Sequence, residues 1–339
     1  MSGSRFIIIG ENIHASRIVK REGKHVGPGP DGRESLAFRG PDGTPRSLAI
    51  PDRIRLSKDG EKGRIKHVQA AILAGMRGAD ADSAEGIGYL QLLALRQEEA
   101  GAAWLDLNVD EISADDAERQ AAMRWLVGVI EEAATVPLSI DSSSPDVLRA
   151  GVESARGVAG RPLVNSASLE RPEVLEFVAA SGCPVVLSAA GLGAMPSGTE
   201  ERVTNAAEMV EFARTRGIAA GAMFIDPLVL PAAVRTEATA EVLAAVQALR
   251  QRFGADVHIT GGLSNVSFGL PARRVINEVF IDLFVAAGGD SGIIDPVGSR
   301  PRLDRASRAW QLASELLLGR DPHGRAFLKA HRAGELAEG

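Results

Sequence analysis

Eight short apolar runs, at 6–12, 103–109, 136–142, 162–167, 183–189, 220–226, 256–261 and 290–295, alternate with longer stretches of helical periodicity over almost the whole 339-residue chain. The helical spacing is plain in Leu126, Val129 and Ile130, and again in Val242, Val246 and Leu249, where apolar residues recur every three or four positions. Strands joined through helices run parallel, because a crossover long enough to hold a helix returns the chain to the same end of the sheet. Eight such units predict a closed (β/α)8 TIM barrel rather than an open sheet.

One segment breaks the rhythm. Residues 14–66 follow the first strand and carry Gly27–Pro28–Gly29–Pro30–Asp31–Gly32 and Gly40–Pro41–Asp42–Gly43, many charges and little apolar periodicity. Such punctuation marks turns. Leaving the carboxyl end of the first strand, the insertion is expected on the catalytic face, as a lid or partner contact, with plain linker as the bland alternative. His14 and His25 fall in it as weak candidates for a metal; no metal site is otherwise expected. The remainder exceeds the roughly 250 residues of such a barrel by about one helix, which fits an added C-terminal helix running towards Leu336. The chain is expected to be one domain, residues 1–339.

Thirty-eight basic residues stand against 44 acidic ones, a formal charge of −6, which argues against nucleic acid or an anionic membrane as the main partner. Cys183 is the only cysteine, so neither an intramolecular disulfide nor a cysteine-based zinc or iron–sulfur site can form. Its place before an apolar run suits a buried thiol. No apolar run approaches the ~20 residues of a membrane span, and the N-terminus lacks the regions of a signal peptide. The expectation is a cytoplasmic protein.

The strand ends carry the chemistry. Leu105–Asp106–Leu107–Asn108, Ile140–Asp141–Ser142–Ser143, Val164–Asn165–Ser166, Ile225–Asp226–Pro227 and Gly262–Leu263–Ser264–Asn265–Val266–Ser267 each finish an apolar run with a carboxylate, amide or hydroxyl. Asp106 and Asn108, two apart in a strand, point to one face while Leu105 and Leu107 point to the other. Each ending alone is compatible with capping the next helix. Their recurrence shifts the balance, because a barrel gathers the carboxyl ends of its strands around one pocket. Carboxylates only accept hydrogen bonds whereas amides also donate, so the set suits a planar heterocycle bearing an amino group, a ring N–H and a carbonyl. The pairs Gly261–Gly262 and Gly288–Gly289 keep a phosphate open, since barrels often bind phosphate after strands seven and eight. No Gly-x-Ser-x-Gly, His-Glu-x-x-His or Walker pattern occurs, so chemistry falls to carboxylates, amides or a reagent brought from outside.

These endings, taken in order with Leu228, Leu230–Pro231 and Gly10–Glu11–Asn12, resemble the pterin-binding methyltransferases: the methyltetrahydrofolate:corrinoid protein methyltransferases and the folate domain of cobalamin-dependent methionine synthase. The likeness spans about residues 6–13 and 85–300. It implies methyl transfer between N5 of tetrahydrofolate or 5-methyltetrahydrofolate, as substrate, and the cobalt of a corrinoid (cobalamin) on a partner protein. Direction is left open. By the same resemblance Asp141, Asn165 and Asp226 hold the pterin ring and Asn265 hydrogen-bonds near N5, with Asp106, Asn108, Ser264 and Arg273 at or near the pocket, and the chain forms a homodimer. The insertion at 14–66 departs from the compact family pattern. Two alternatives remain: the related dihydropteroate synthase, against which Ser264–Asn265–Val266 speaks because that enzyme has Ser-Arg-Lys there, and a non-catalytic pterin-binding subunit.

Overall fold

The computed structural model describes residues 6–77, 80–235, 237–299 and 303–336. Its first strand, β1, is Ile7–His14, and five short strands follow in the insertion: β2 Ile18–Lys20, β3 Val26–Pro28, β4 Glu34–Arg39, β5 Pro45–Ala49 and β6 Arg64–Lys66. Then come β7 Trp104–Asn108, β8 Leu138–Asp141, β9 Leu163–Ala167, β10 Val185–Ser188, β11 Met223–Asp226, β12 His258–Ile259 and β13 Ser291–Ile294. β1 and β7 to β13 form one sheet in the order β12-β11-β10-β9-β8-β7-β1-β13. Helices Asp116–Glu131, Pro145–Ser154, Val174–Ser181, Thr199–Thr215, Ala238–Phe253, Arg273–Ala287 and Arg308–Leu317 follow β7 to β13 in turn. The fold is a (β/α)8 TIM barrel, and Arg325–Arg332 supplies the additional C-terminal helix.

Local sequence explains the elements. Ser144 caps the helix that begins at Pro145, its hydroxyl accepting from Val147 N–H while the proline occupies a position that needs no donor. Asp115 caps Asp116–Glu131 in the same way, accepting from Ala117 N–H. That helix buries Leu126, Val129 and Ile130, the stripe the periodicity marks, together with Met123 and Val127. β11 starts later than the apolar run at 220–226, because Ala220–Ala222 forms a 3-10 turn. β12 is shorter than 256–261, with Gly261 and Gly262 leading away into a second 3-10 turn, Leu263–Ser267.

The chain divides into two compact units, one taking in the start of β1 to Ile9 together with the chain from Val164 onward, the other Gly10–Leu163. In the first, Asp290 fastens β12 to β13 at their amino ends. It accepts from Ile259 N–H at 2.7 Å, meets His258 Nδ1 at 2.8 Å and lies 3.1 Å from Arg250 Nη2. Further along, Ile293 N–H donates to Gly261 O at 2.8 Å. Cys183 is buried, as its apolar surroundings suggest.

In the second unit, the insertion is a folded layer rather than an irregular loop. β3, β4 and β5 form an antiparallel sheet, and β2 pairs with β6 so that the two ends of the segment lie side by side. Leu36 and Leu48 face one another across β4 and β5 and are fully covered, and Ile50, Ile54 and Ile65 of the same segment are buried too. Ion pairs Arg33–Asp82 (2.8 Å) and Arg46–Glu85 (2.9 Å) brace it against the helix Asp80–Glu99, and Phe38 meets the edge of Tyr89 on that helix. A cleft of about 520 Å³ opens beside β3 and β4, but its arginines are spoken for: Arg21 forks onto Glu34, Arg33 onto Asp31 and Asp82, Arg55 onto Asp52.

Leu48→Ala should therefore destabilise the protein by about 2–5 kcal/mol, the usual cost of emptying a buried leucine site. Denaturant titration measures it; a loss under about 1 kcal/mol would mean that the inserted sheet contributes little to the cooperative unit.

Candidate functional site

Parallel register decides which strand-end side chains meet. In the Gly10–Leu163 unit β7 pairs with β8 so that Asp106 lies opposite Ser139 and Asn108 opposite Asp141. Both pairs bond: Ser139 Oγ donates to Asp106 Oδ1 at 2.6 Å, and Asn108 Nδ2 donates to Asp141 Oδ2 at 2.8 Å. Asp106 is buried one layer below the strand end, whereas Asp141 is half-buried at the end itself. Asn108 Oδ1 accepts from Asp110 N–H at 2.9 Å, which fixes the amide so that its N–H points at Asp141.

His14, at the end of β1, stands 3.8 Å from Asp141 through Nε2. Its Nδ1 accepts from Ser16 N–H at 3.2 Å, which assigns the proton of the neutral ring to Nε2, on the side of Asp141. Burial, and then the neighbouring Arg17 charge, hold His14 below the usual imidazole range. At neutral pH it is an uncharged donor. Among the described residues, no group of three or more histidine, cysteine or acidic side chains is placed to hold a metal.

In the other unit Asn165 and Ser166 sit half-buried at the end of β9. Asp226 ends β11 and turns the chain: its Oδ1 accepts from Leu228 N–H at 2.7 Å, and Leu228 takes a left-handed conformation at φ 64°. A leucine held there costs on the order of 1–3 kcal/mol, and such strain gathers where a side chain must be aimed. Burial pushes the Asp226 carboxyl up to about 6, against the opposing pull of the Leu228 N–H and of the buried Arg202 charge.

The turn after β12 presents the amide. Leu263, Ser264, Val266 and Ser267 are all buried, whereas Asn265 is exposed. Among the described residues its side chain has no hydrogen-bond partner. Gly261 and Gly262 make room for this arrangement. A Cβ at Gly261 would lie 3.2 Å from Asp226 Oδ1, and one at Gly262 would lie 2.8 Å from Asn265 Nδ2, so the carboxylate and the amide border the same bare stretch of backbone. Beside them Ser264 Oγ is buried without a partner among the described residues, which leaves a hydroxyl available to a bound molecule.

Arg273 is used differently. Its Nε donates to Ser267 Oγ at 3.0 Å and its Nη2 to Ser264 O at 3.1 Å, while the guanidinium lies 4.5 Å from the centre of the Phe268 ring. It braces the turn that carries Asn265. The side chain that the sequence did not single out is Arg202, fully buried in the first turn of Thr199–Thr215 and donating through Nε to Pro227 O at 3.0 Å. Nothing in its local sequence separates it from the other helical arginines.

The pterin binding enzyme family matches residues 90–295, the stretch from the helix before β7 to just past β13. The chain is 32% identical over 253 residues to methylcorrinoid:tetrahydrofolate methyltransferase of Eubacterium limosum, covering 73% of this chain and 89% of that protein. It is 33% identical over 217 residues to methionine synthase of Mycobacterium leprae, covering 60% of this chain and only 17% of that much longer protein. Among solved structures, dihydropteroate synthase of Xanthomonas albilineans superposes with a TM-score of 0.51 at 20% identity, over 77% of this chain and 89% of that one. The synthase of Yersinia pestis does so at 0.51 and 19%, over 73% and 89%. At such identity the two synthases speak for the barrel alone; the family match over most of the chain and the relative at 32% identity speak for descent. By that evidence the chain belongs to the pterin-binding enzyme family.

Proposed function

We propose that this enzyme transfers a methyl group between N5 of tetrahydrofolate and the cobalt of a corrinoid carried by a partner protein. The observation that carries the reading is Asn265, an exposed amide without a partner among the described residues, set on a turn whose other side chains are buried and whose glycines leave space beside Asp226. Relatives similar to this chain over most of the barrel, at 31–33% identity, include a methylcorrinoid:tetrahydrofolate methyltransferase and methionine synthases. Direction is set by the substrates supplied.

The chemistry follows from charge. N5 of methyltetrahydrofolate is a tertiary amine and a poor leaving group. In transfer towards cobalt the N5–methyl bond breaks as N5 takes up a proton, and the methyl carbon passes to the nucleophilic metal; transfer towards folate is the reverse. An amide hydrogen bond that strengthens as charge changes at N5 stabilises the transition state more than the ground state. Asn265 supplies that bond by position alone, because an amide does not ionise at working pH. The Asp226 carboxylate accepts from the N–H groups of the pterin's guanidine-like edge, which needs its ionised form.

Asp141, Asn108, Asn165 and Ser264 are proposed as further pterin contacts. Asp106, bonded to Ser139, and Arg273, bonded across the turn that carries Asn265, are proposed with them. The insertion serves as a partner contact, since its ion-paired bracing suits a fixed surface better than a closing lid. The working form is proposed to be a homodimer, the state the resemblance implies, acting in the cytoplasm.

Asn265→Ala should keep methyltetrahydrofolate binding within about 1–3 kcal/mol while kcat falls by about 10²–10³. Equilibrium titration beside single-turnover kinetics separates the two; equal losses in both would make Asn265 an anchor only. Folate affinity should also follow the ionisation of Asp226. Its carboxyl titrates at about 6 in the free protein, so affinity rises as pH climbs through that value and levels off above it. Asp226→Asn should bind more weakly and lose that step; a wild-type profile in the variant would remove Asp226 from the pocket.

Stability carries the opposite sign. A carboxyl raised from its ordinary value to about 6 makes the folded protein hold the proton more tightly than the unfolded chain does. Its contribution therefore favours folding on the acid side and is lost as pH rises from the ordinary carboxylate range to about 6. Asp226→Asn should flatten that part of the stability profile, measured by denaturant titration; an unchanged slope would mean that the Asp226 carboxyl is not displaced.

A further inference from the structure

We propose that Arg202 is the positioning residue for Asp226, fixing its carboxylate and holding it in the charged form that takes the pterin edge, and that Glu241 and Arg235 complete the device. The inference rests on the reading of Asp226 given above. It begins with a guanidinium that has no exposed surface, a costly place for a charge unless the surroundings use it.

The contacts are directed at the loops that end β10 and β11. Arg202 Nε donates to Pro227 O, the residue between Asp226 and the left-handed Leu228. Its Nη1 donates to Gly198 O at 3.0 Å and to Pro196 O at 3.4 Å. Thus one side chain ties the segment before its own helix to the turn that aims Asp226. From the same helix Asn205 Nδ2 donates to Ala189 O at 3.0 Å, just past the end of β10. Ser188 on β10 and Asp226 on β11 are paired in register, so both anchors act on adjacent strand ends.

The charge is only partly cancelled. Glu241 of the helix Ala238–Phe253 approaches Arg202 Nη1 at 3.7 Å, too far for a hydrogen bond. Arg235 forks onto both oxygens of Glu241, one at 2.7 Å, and reaches Ser197 O at 3.3 Å. Glu201, beside Arg202 in sequence, accepts instead from Ser197 N–H and Oγ. Arg202 Nη2 is buried with no partner among the described residues. A guanidinium whose counter-ion is shared with another arginine keeps positive potential for its surroundings, and Asp226 lies within that field. On the other side of Asp226 the end of β12 offers Gly261 and neutral Asn265. Arg202 is therefore the cation that opposes the desolvation of Asp226.

A bare packing role would predict weaker binding at every pH. The positioning role predicts a shift of the titration itself. Arg202→Gln removes the charge and keeps a donor for Pro227 O, so the midpoint of methyltetrahydrofolate binding should move up by about one pH unit, with affinity about tenfold weaker at pH values below both midpoints and close to the wild type well above them. Arg202→Lys should keep the midpoint within about half that shift. Glu241→Gln, which removes the carboxylate shared by the two arginines, should move it down. Isothermal titration at a series of pH values on each folded variant, with Asp226→Asn as reference, reads all of this. A midpoint unmoved in both Arg202→Gln and Glu241→Gln, or moved in the same direction by both, overturns the inference; should Arg202→Gln fail to fold, an upward or null shift in Glu241→Gln overturns it alone. If Asp226→Asn itself binds as the wild type does, the pterin role of Asp226 has failed, and the failure is told apart from that of Arg202.

Discussion

The parallel hydrogen-bond register of the sheet is the constraint on which the candidate site depends, because a slip of one residue on any strand would turn its polar side chains from the barrel interior to the helices. β7 and β8 illustrate this with two bonds, Ser139 to Asp106 and Asn108 to Asp141, each formed between residues directly opposite in register. The apolar residues between them, Leu105, Leu107, Leu138 and Ile140, are buried. Slipping the register would place those leucines among carboxylates and the carboxylates among leucines. The burial that holds the barrel together is thus also what aims the polar strand ends.

Aiming a carboxylate into such a setting has a cost that is visible at Asp226. Desolvation alone raises its proton affinity, and the turn that presents it holds Leu228 in a left-handed conformation. The protein offsets the first with the Leu228 N–H and a buried arginine, and the second with hydrogen bonds on either side of the turn. Asn265 is arranged in the contrary way. Among the described residues its side chain has no partner, and rigidity comes from its buried neighbours and from Arg273 bonded across the turn. A carboxylate that must stay charged needs company, whereas an amide that must donate to a substrate works best without it.

Much of this was legible in the chain. The eight strand–helix units and the polar endings rest on local patterns: alternation, periodicity and glycine–proline turns. What local pattern does not carry is pairing at a distance. The insertion reads as a charged loop because its strands hold three to six residues each, too few to show alternation, and its order comes from β2 meeting β6 and from Leu36 meeting Leu48. Arg202 is a plainer case. A charged residue near a helix start reads as solvated surface, and only the fold brings the loops at 196–198 and 227 around it. The bonds that Asp106 and Arg273 make, to Ser139 and to the Ser264–Ser267 turn, join partners that local pattern does not pair.

The central claim is transfer of a methyl group between N5 and a corrinoid cobalt, and the most direct measurement is the fate of that carbon. Methyltetrahydrofolate labelled with carbon-13 in its methyl group would be mixed anaerobically with the purified protein and cob(I)alamin, free and then on a corrinoid protein, and the labelled resonance followed by NMR. The expected result is its disappearance from the N-methyl position and appearance as cobalt-bound methyl, at a rate that Asn265→Ala slows. Binding of the folate with the label remaining on N5 in both mixtures, and none returned to tetrahydrofolate from methylcobalamin, would contradict the claim.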